Sequence, residues 1–382
     1  MANTITNVLP KWLAQGVLAL RQQAVFPRLV SRDFDGRAEK KGNVVNVPIP
    51  SAIAARAVTP SVVMNSNVAS APTVALVTLD HWMEAPWEAS DSDYAAVDPT
   101  FFPMQGSEAI KSLANDADAY LWGKHVGFYG AAGVAGTTFS TVGTPANARK
   151  LLNKQLAPMD NRFGVLDPDA ENAMLSLSNV LQFDQRGDQG GIVQGSIGTK
   201  FGIGWYMDQN ITTYSVGGAH ANGTVGGWAI SAANGVAGVQ TLTIVHASAT
   251  GTIKLGDIFT VGGSAQQYVV TANATITVTA SEVAIAFYPA LATTAASAVA
   301  VTFIATNYVA NLVMHPNAMA WASRPLRESL ADGHVFQAPT DEISGIALRL
   351  EISRQYKLET LSYDYLAGAG VVRRELGVKL LG

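Results

Sequence analysis

An edge β-strand is predicted by the segment Asn43-Val44-Val45-Asn46-Val47-Pro48-Ile49-Pro50, because its residues alternate and its prolines cannot donate backbone hydrogen bonds. A second strand is predicted at Val74-Ala75-Leu76-Val77-Thr78-Leu79. The long connection between them contains Pro60 and Pro72 among many small residues. Such a loop is unusual inside a compact domain, and an isolated two-stranded ribbon is only marginally stable in water. We therefore predict a long two-stranded arm that needs a partner surface.

Charged side chains flank this arm on both sides. Basic residues precede it and acidic residues follow it. We expect the acid-rich region 51–212 to meet basic patches at 28–41 and 324–374 on other subunits, so that assembly depends on salt. The candidate inter-subunit contacts are Trp12, Arg32, Arg37, Lys40, Lys41, Arg56, Glu84, Glu88, Asp91 and Asp93.

The segment that precedes the arm predicts an amphipathic helix. Its apolar residues recur at steps of three and four, Pro10 suits its first turn, and Pro27 suits its end. These apolar residues are Leu9, Trp12, Leu13, Val17, Leu20 and Ala24. Two interpretations stay open, namely a helix of the core and an arm that lies on a neighbouring chain.

Three further helices are predicted by apolar residues at helical spacing. The longest covers Gln105–Gly130. Another opens at Thr144-Pro145 and continues through Leu156, before Pro158 stops it. A third opens at Asp167-Pro168, and we interpret the acids of its first turn as partners of the helix dipole rather than as a cation site.

A distinct β-rich module is predicted at residues 213–309. The stretch 213–323 carries only three charged residues, which are Lys254, Asp257 and Glu282. Several short apolar strands separated by turn residues suggest a small barrel or sandwich. Alternating residues near the C-terminus predict further strands of the main body.

The composition narrows the classes of protein to which the chain can belong. Charged residues make up 14% of its 382 residues, against about 25% in a typical soluble protein. An apolar fraction of 48% argues against intrinsic disorder, and a net charge of −4 argues against a generally basic nucleic-acid-binding protein. The absence of cysteine excludes disulfide scaffolds and thiol catalysis. Either uncharged polar residues cover the surface or much of it meets other chains, and we take self-association as the first hypothesis.

Motifs of catalysis and cofactor binding are absent from the sequence. No two of the six histidines lie within five residues of each other, so no local metal-binding pair exists. The glycine clusters lack the spacing of phosphate-binding and dinucleotide-binding loops. The uncharged stretch Val283–Ala305 contains Pro289 and alternates like a strand, and the first residues do not form a signal peptide. We expect no enzyme activity, no cofactor, no metal and no membrane partner.

Several segments taken together resemble one protein family. They are Val25–Pro50, Gly202–Asn210, Ile253–Phe259, His315–Ala318 and the C-terminal strands. Their order, over nearly the whole chain, resembles that of the major capsid (coat) proteins of tailed double-stranded DNA phages, most closely the Salmonella podophage P-twenty-two coat-protein family. The resemblance implies an α+β fold of the Hong Kong ninety-seven type with an inserted β-barrel domain.

The resemblance also assigns a role to each segment of the chain. It implies an N-arm at 1–35, an extended E-loop at 36–92, a P-domain with a spine helix at 93–183, an A-domain at 184–212 and 310–345, a β-rich insertion domain at 213–309, and C-terminal strands of the P/A body at 346–382.

A shell-forming role follows from this resemblance. It implies a major capsid protein that self-assembles, as hexamers and pentamers, into the icosahedral shell around the phage genome. The implied partners are a separate scaffolding protein, a portal protein and packaged double-stranded DNA in weak non-specific contact. The implied location is the virion, after assembly in the host bacterial cytoplasm. Residues 43–90 contain Arg56 and no lysine, so we expect no covalent cross-link of the kind that some relatives form through the E-loop.

Two alternatives remain at this stage. The first is a secreted or surface-array β-rich structural protein that also self-associates. The second is an α+β enzyme whose site is assembled from distant residues.

Overall fold

The computed structural model describes most of the chain. The described residues are 24–33, 42–51, 53, 55, 57, 71–96, 101–181, 195, 197–221, 227–231, 235–279, 281–326, 334–338, 340, 341 and 343–382.

Helices and strands alternate irregularly along these residues. The helices are α1 Phe26–Leu29, α2 Asp91–Ala96, α3 Phe101–Gly123, α4 Gly143–Lys154, α5 Pro168–Leu175, α6 Ser178–Leu181 and α7 Gly218–Ala221. The strands are β1 Val44–Ile49, β2 Thr73–Thr78, β3 His81–Ser90, β4 Gly130–Ala132, β5 Phe163–Leu166, β6 Thr199–Lys200, β7 Ile203–Met207, β8 Thr213–Tyr214, β9 Ala229–Ile230, β10 Thr241–Val245, β11 Gly251–Ile253, β12 Ile258–Val261, β13 Gln267–Val270, β14 Ala274–Ile276, β15 Glu282–Tyr288, β16 Val301–Phe303, β17 Tyr308–Met314, β18 Met319–Arg324, β19 His334–Gln337, β20 Leu348–Gln355, β21 Leu358–Val371 and β22 Gly377–Leu381.

The chain divides into two compact units. The first contains Ser31–Leu113 and Met319–Val372, and the second contains Gln23–Val30, Ala114–Ala318 and Arg373–Gly382. Helix α3 contributes its first half to the first unit and its second half to the second. Each unit has a large β-sheet of its own.

The first unit is built on a five-stranded antiparallel sheet. Its long central strand, β21, pairs with β3, β20 and β18, and β19 pairs with β20. One face of the sheet buries large side chains, among them Leu361 and Tyr363. Helix α3 packs on this face, where a Cβ atom at Gly106 would lie 3.5 Å from the Tyr363 ring. This is an ordinary van der Waals distance, so the helix lies directly against the sheet at this point.

A separate two-stranded ribbon also belongs to the first unit. Strands β1 and β2 pair antiparallel, with Val44 opposite Thr78 and Ile49 opposite Thr73. This pairing confirms the two strands that the sequence predicts here. Side chains alternate along the ribbon, so that every second residue points to the same face.

Small residues of the five-stranded sheet make room for the ribbon. Ala320 and Ala322 of β18 lie opposite Gly370 and Gly368 of β21. The two alanines pack against the inner face of the ribbon, which consists of Val45, Val47, Val77 and Leu79. A Cβ atom at Gly368 would overlap the carbonyl oxygen of Thr78. We call these two alanines and two glycines the small-residue seat, because larger side chains there would displace the ribbon.

The second unit is built on a seven-stranded sheet in the order β4-β22-β17-β5-β7-β6, with β8 also paired to β17. The pairs β4–β22 and β5–β7 are parallel, and the others are antiparallel. Asp167 caps α5 by accepting hydrogen bonds from the backbone N–H groups of Asp169 and Ala170, at 3.2 and 3.3 Å.

The β-rich module of the second unit is a nearly closed barrel. Its sheet runs β16-β12-β13-β15-β10-β9. The two outer strands approach each other, because Ala229 forms a bridge with Ala300 and the Ile230 N–H donates to the Val299 carbonyl at 3.0 Å. The interior is aromatic and aliphatic, with Trp228, Tyr268, Phe259 and Phe287 among its buried side chains. The barrel therefore covers most of its own strand edges.

The predicted helices are found, with different bounds. The helix expected at Gln105–Gly130 starts at Phe101 and ends at Gly123, and a 3₁₀ turn follows it. The helix expected to continue through Leu156 ends at Lys154. The amphipathic helix predicted before the arm lies outside the described residues, except for Ala24.

Candidate interaction surfaces

The outer face of the ribbon is the first candidate surface. We define it as Val44, Val74 and Leu76, which all point away from the small-residue seat and are exposed, Leu76 to 63%. On the opposite face of the same two strands, Val45, Val47 and Val77 are buried. Large apolar side chains gathered on an exposed face are typical of a surface that another molecule covers.

The outer face of β3 is the second candidate surface, and we define it as Trp82, Glu84 and Glu88. The strand register places these three side chains on one side of the sheet. Trp82 is 61% exposed, although its indole N–H donates a hydrogen bond of 3.0 Å to Asp364. That bond fixes the orientation of the exposed aromatic ring.

Charge on this side of the sheet is predominantly negative. The Arg349 Nε donates a hydrogen bond of 2.9 Å to Asp364, and its guanidinium lies 3.3 Å from Glu351. The hydrogen bond with Asp364 is the main reason why the pKa of Arg349 is raised. One arginine therefore faces several carboxylates, including Glu84, and the surface keeps a negative potential.

Two of the predicted contact residues are engaged within their own subunit. Asp91 forms a salt bridge of 2.8 Å with Arg354, which also contacts Glu359 at 2.6 Å. Asp93 accepts hydrogen bonds from the Ser90 hydroxyl and amide, and these bonds lower its pKa. Exposed pairs of this kind contribute little to stability.

The remaining predicted contacts are distributed as follows. Glu84 and Glu88 lie together on β3, and Arg32 is half-buried directly after Ser31, which bridges to Ala320. Five predicted residues lie outside the described residues, so their roles stay predictions: Trp12, Arg37, Lys40, Lys41 and Arg56.

An anchor for the segment at the start of α1 was not predicted from the sequence. The fully buried Asp118 of α3 accepts hydrogen bonds from the backbone N–H groups of Val25 and Phe26, at 3.0 and 2.9 Å. Burial, and next the charge of Asp208, raise the pKa of Asp118 to about 8. An acid inside an apolar helical stretch is the only signal that could have indicated this anchor.

A buried polar network joins the barrel to the seven-stranded sheet. Asp257 accepts hydrogen bonds from the Lys254 N–H at 2.7 Å, from the Tyr214 hydroxyl at 3.1 Å and from the Gly217 N–H at 3.2 Å. The ammonium of Lys379 donates to the Gly256 carbonyl at 3.0 Å. Burial lowers the pKa of Lys379 to about 7.

This network does not form a site that a substrate could reach. Asp257 and Lys379 are both buried, and their hydrogen bonds fasten one part of the unit to another. Within the part of the chain that the structure describes, no group of three or more His, Asp or Glu side chains is arranged to hold a metal ion. None of the described helices is long and apolar enough to cross a bilayer.

The fold has clear relatives among solved structures, although no family model and no curated protein matches the chain. The capsid of the cyanophage P-SCSP1u matches with a TM-score of 0.50 and 12% identity, over 94% of this chain and 88% of that chain. A chain of Mycobacterium phage Che8 matches with a TM-score of 0.49 and 17% identity, over 94% and 91%. The mature capsid of bacteriophage PhiM1 matches with a TM-score of 0.49 and 10% identity, over 94% and 86%.

At such low identity the likeness concerns the fold alone. The P-SCSP1u match covers 94% of the chain and therefore extends over both units. The kinship to the P-twenty-two coat-protein family and the assignment of segments to named domains stay predictions. The chain therefore has the α+β capsid fold of the Hong Kong ninety-seven type that its sequence resembles.

Proposed function

We propose that this chain is a major capsid protein, which self-assembles into the icosahedral shell that encloses the double-stranded DNA genome of a tailed phage. The observation that carries the proposal is the ribbon with two unlike faces. Its inner face is buried on the small-residue seat, whereas Val44, Val74 and Leu76 are exposed. A second copy of the chain is the partner that would cover them.

The physical requirements of a closed shell support this reading. Such a shell needs head-to-tail contacts that close around both five-fold and six-fold positions, so one chain must adopt several related poses. A two-stranded ribbon can bend while the sheets stay rigid. Each contact can be modest, because every subunit meets several neighbours, and the free energies of these contacts add while their equilibrium constants multiply.

The proposal extends to partners and location. A separate scaffolding protein guides assembly, a portal protein occupies one vertex, and DNA touches the interior only weakly. The net charge of −4 supports the last point, since a strongly basic lining would grip the phosphate backbone. The chain acts as a structural protein rather than an enzyme, and it resides in the virion after assembly in the host cytoplasm.

Electron microscopy of the purified chain tests the proposal, with and without a co-expressed scaffolding protein. We expect closed shells of uniform size. The double variant Val74→Ser/Leu76→Ser should lower the yield of shells about tenfold, because it removes apolar area from the covered face. Its unfolding midpoint should stay unchanged. Thr73→Ala, on the same strand, is the matched control and should assemble normally.

Two results would contradict the proposal. A folded monomer at every concentration, with or without scaffold, would exclude a shell-forming role. Open planar arrays would favour a surface-layer protein instead. On denaturing gels, subunits from mature shells should migrate singly, in accordance with the absence of lysine from residues 43–90.

A further inference from the structure

The loop that follows α4 has an unusual residue at its first turn. The Leu156 N–H donates to the Asn153 carbonyl at 3.2 Å, and the Ala157 N–H donates to the Leu152 carbonyl at 3.0 Å. These two bonds form a Schellman motif, whose left-handed position is usually occupied by glycine. Leu156 occupies it here, with a φ of 58°. A left-handed conformation is less favourable for an L-residue than the ordinary helical one.

Leucine gains nothing within its own subunit from this position. Its side chain is 88% exposed, the largest exposed fraction among the exposed large apolar residues of the described chain. Met159, in the same loop, is 72% exposed. A strained backbone that displays two large apolar side chains to solvent indicates a contact with another molecule.

The loop is held rigidly in this conformation. Arg162 is almost fully buried, and its guanidinium donates three hydrogen bonds: to the Asn153 side chain at 2.7 Å, to the Ala157 carbonyl at 2.7 Å and to the Pro158 carbonyl at 2.6 Å. A loop that is ordered before binding loses less conformational entropy when a partner docks. The geometry therefore suits a preformed contact.

The helix that precedes the two apolar side chains is positively charged. Helix α4 contributes exposed Arg149, Lys150 and Lys154 and contains no acid, whereas the loop contributes only Asp160. Two such loops would repel each other across a symmetric contact, so the loop does not suit pairing with itself. Its chemistry suits a partner that combines an exposed apolar group with carboxylates.

We propose that loop 155–161 docks on the outer face of β3 of a second copy of the chain. In this contact, the Trp82 ring of one copy packs between Leu156 and Met159 of the other. Glu84 and Glu88 of the first copy then lie opposite the lysines of α4 of the second. The contact is head-to-tail, which is the type that builds rings. This inference rests on the proposed shell-forming function and adds a contact that is separate from the outer face of the ribbon.

The variant Leu156→Gly separates docking from folding. Glycine is favoured at the left-handed position, so the unassembled chain should unfold at the same or a higher denaturant concentration. The critical concentration for shell assembly should nevertheless rise about tenfold, because a buried leucine is lost from the contact. A residue with a purely internal role would not show these opposite effects.

Asn161→Gly is the matched control. Asn161 lies in the same loop with a φ of 50°, but its side chain is not apolar. This variant should assemble at the critical concentration of the unmodified chain. If Leu156→Gly also assembles like the unmodified chain, the docking proposal is wrong.

Charge reversal identifies the partner surface. Lys150→Glu/Lys154→Glu should raise the critical concentration several-fold, and so should Glu84→Lys/Glu88→Lys. A chain that carries all four substitutions restores the opposite charges between copies and should regain assembly. Failure of the combined variant to assemble better than either double variant would overturn the assignment to β3.

Cysteine cross-linking tests the contact directly, since the chain has no cysteine of its own. A short bis-maleimide should link Met159→Cys chains to Glu88→Cys chains in mixed shells and should link neither variant to itself. Links between two Met159→Cys chains, or from Met159→Cys to a co-expressed scaffolding protein, would contradict the proposal. Absence of shells from the unmodified chain would instead refute the proposed function.

Discussion

The barrel and the ribbon differ in how far they bury their large apolar side chains. The barrel nearly closes its sheet and buries its large aromatic residues, among them Trp228 and Phe259. The ribbon buries one face on the small-residue seat and leaves Val44, Val74 and Leu76 exposed on the other. A scarcity of charge therefore has two different explanations in one chain. In the barrel, uncharged polar and small residues meet solvent, whereas the ribbon exposes an apolar face, which we propose to be covered by a second copy of the chain.

This contrast teaches that low charge alone does not locate an interface. The stretch 213–323 has the fewest charges, yet the barrel sheet within it is largely self-contained. The better signal is an apolar residue on a face that the strand register leaves uncovered.

The largest expected effect concerns the buried polar network around Asp257 of the barrel. Asp257→Ala removes a buried acceptor of several hydrogen bonds and leaves their donors unpaired. We expect the free energy of unfolding of the unassembled chain to fall by about 3–5 kcal/mol, as for other broken buried polar networks. Urea titration measures the change. The control variant Asp160→Ala, at an exposed position, should change the free energy of unfolding by less than about 0.5 kcal/mol. An equal loss in both variants would show that the buried network does not stabilise the chain.

The second test displaces the ribbon from its seat. A valine at position 368 would collide with the Thr78 backbone, so Gly368→Val should cost about 2 kcal/mol. It should also accelerate proteolysis within residues 42–79. Gly123→Ala has open space around the added Cβ and should instead stabilise the chain by about 0.5–1 kcal/mol. Unchanged protection of the ribbon in Gly368→Val would show that its inner face is not seated on β21.

The third test uses pH, because the second unit holds buried ionisable groups. The folded-state pKa of Asp118 is about 8, against 3.8 for an exposed aspartate, so between these values the folded chain holds a proton that the unfolded chain releases. Its contribution to the free energy of unfolding therefore falls as pH rises from 4 towards 8. Between pH 6 and pH 8 this contribution should fall by about 2 kcal/mol, measured as the difference between the unmodified chain and Asp118→Asn, because His125 and Lys379 contribute with the opposite sign in both chains.

Comparison with Asp118→Asn isolates this contribution. The substituted chain should lose less stability over the same range in thermal unfolding. Below pH 6.5 the opposite slope should appear in Asp118→Asn, because burial lowers the pKa of His125 to about 3 and the unfolded histidine takes up the proton. In the unmodified chain the Asp118 and His125 contributions largely cancel between pH 4 and pH 6.5. Parallel profiles above pH 6 would rule out Asp118 as the source.

The smallest effect is expected on the exterior of the barrel. Val278 is exposed beyond β14, and Val278→Lys should change stability by less than about 0.5 kcal/mol and leave the yield of shells intact. A strong assembly defect, seen by electron microscopy, would mean that the barrel also carries an interface. The contrast with the ribbon would then fail.

The sequence predicts the elements that are periodic over short distances. The ribbon strands, the long helix and the start of α5 at Asp167-Pro168 are all found where alternation, helical spacing and turn residues place them. Helix α4 ends earlier than predicted because Leu156 takes a conformation that glycine usually takes, and no local pattern reveals that.

Long-range pairing could not be predicted. The sequence of β3 does not show a strand pattern, because charged residues and Pro86 interrupt it. The strand nevertheless pairs with β21 along its whole length. The glycines and alanines of the small-residue seat come from two strands that are far apart in sequence. The exposed Trp82, the buried Asp118 and the Arg162 hydrogen bonds likewise depend on distant partners.

Strand β21 has a mechanical consequence. It carries Gly368 and Gly370, on which the ribbon rests, and it also pairs with all ten residues of β3. Tension applied along the ribbon would therefore pass into a ladder whose hydrogen bonds lie across the strands and are strained together rather than peeled one after another. A load along these strands would therefore be shared by the ten paired residues of β3.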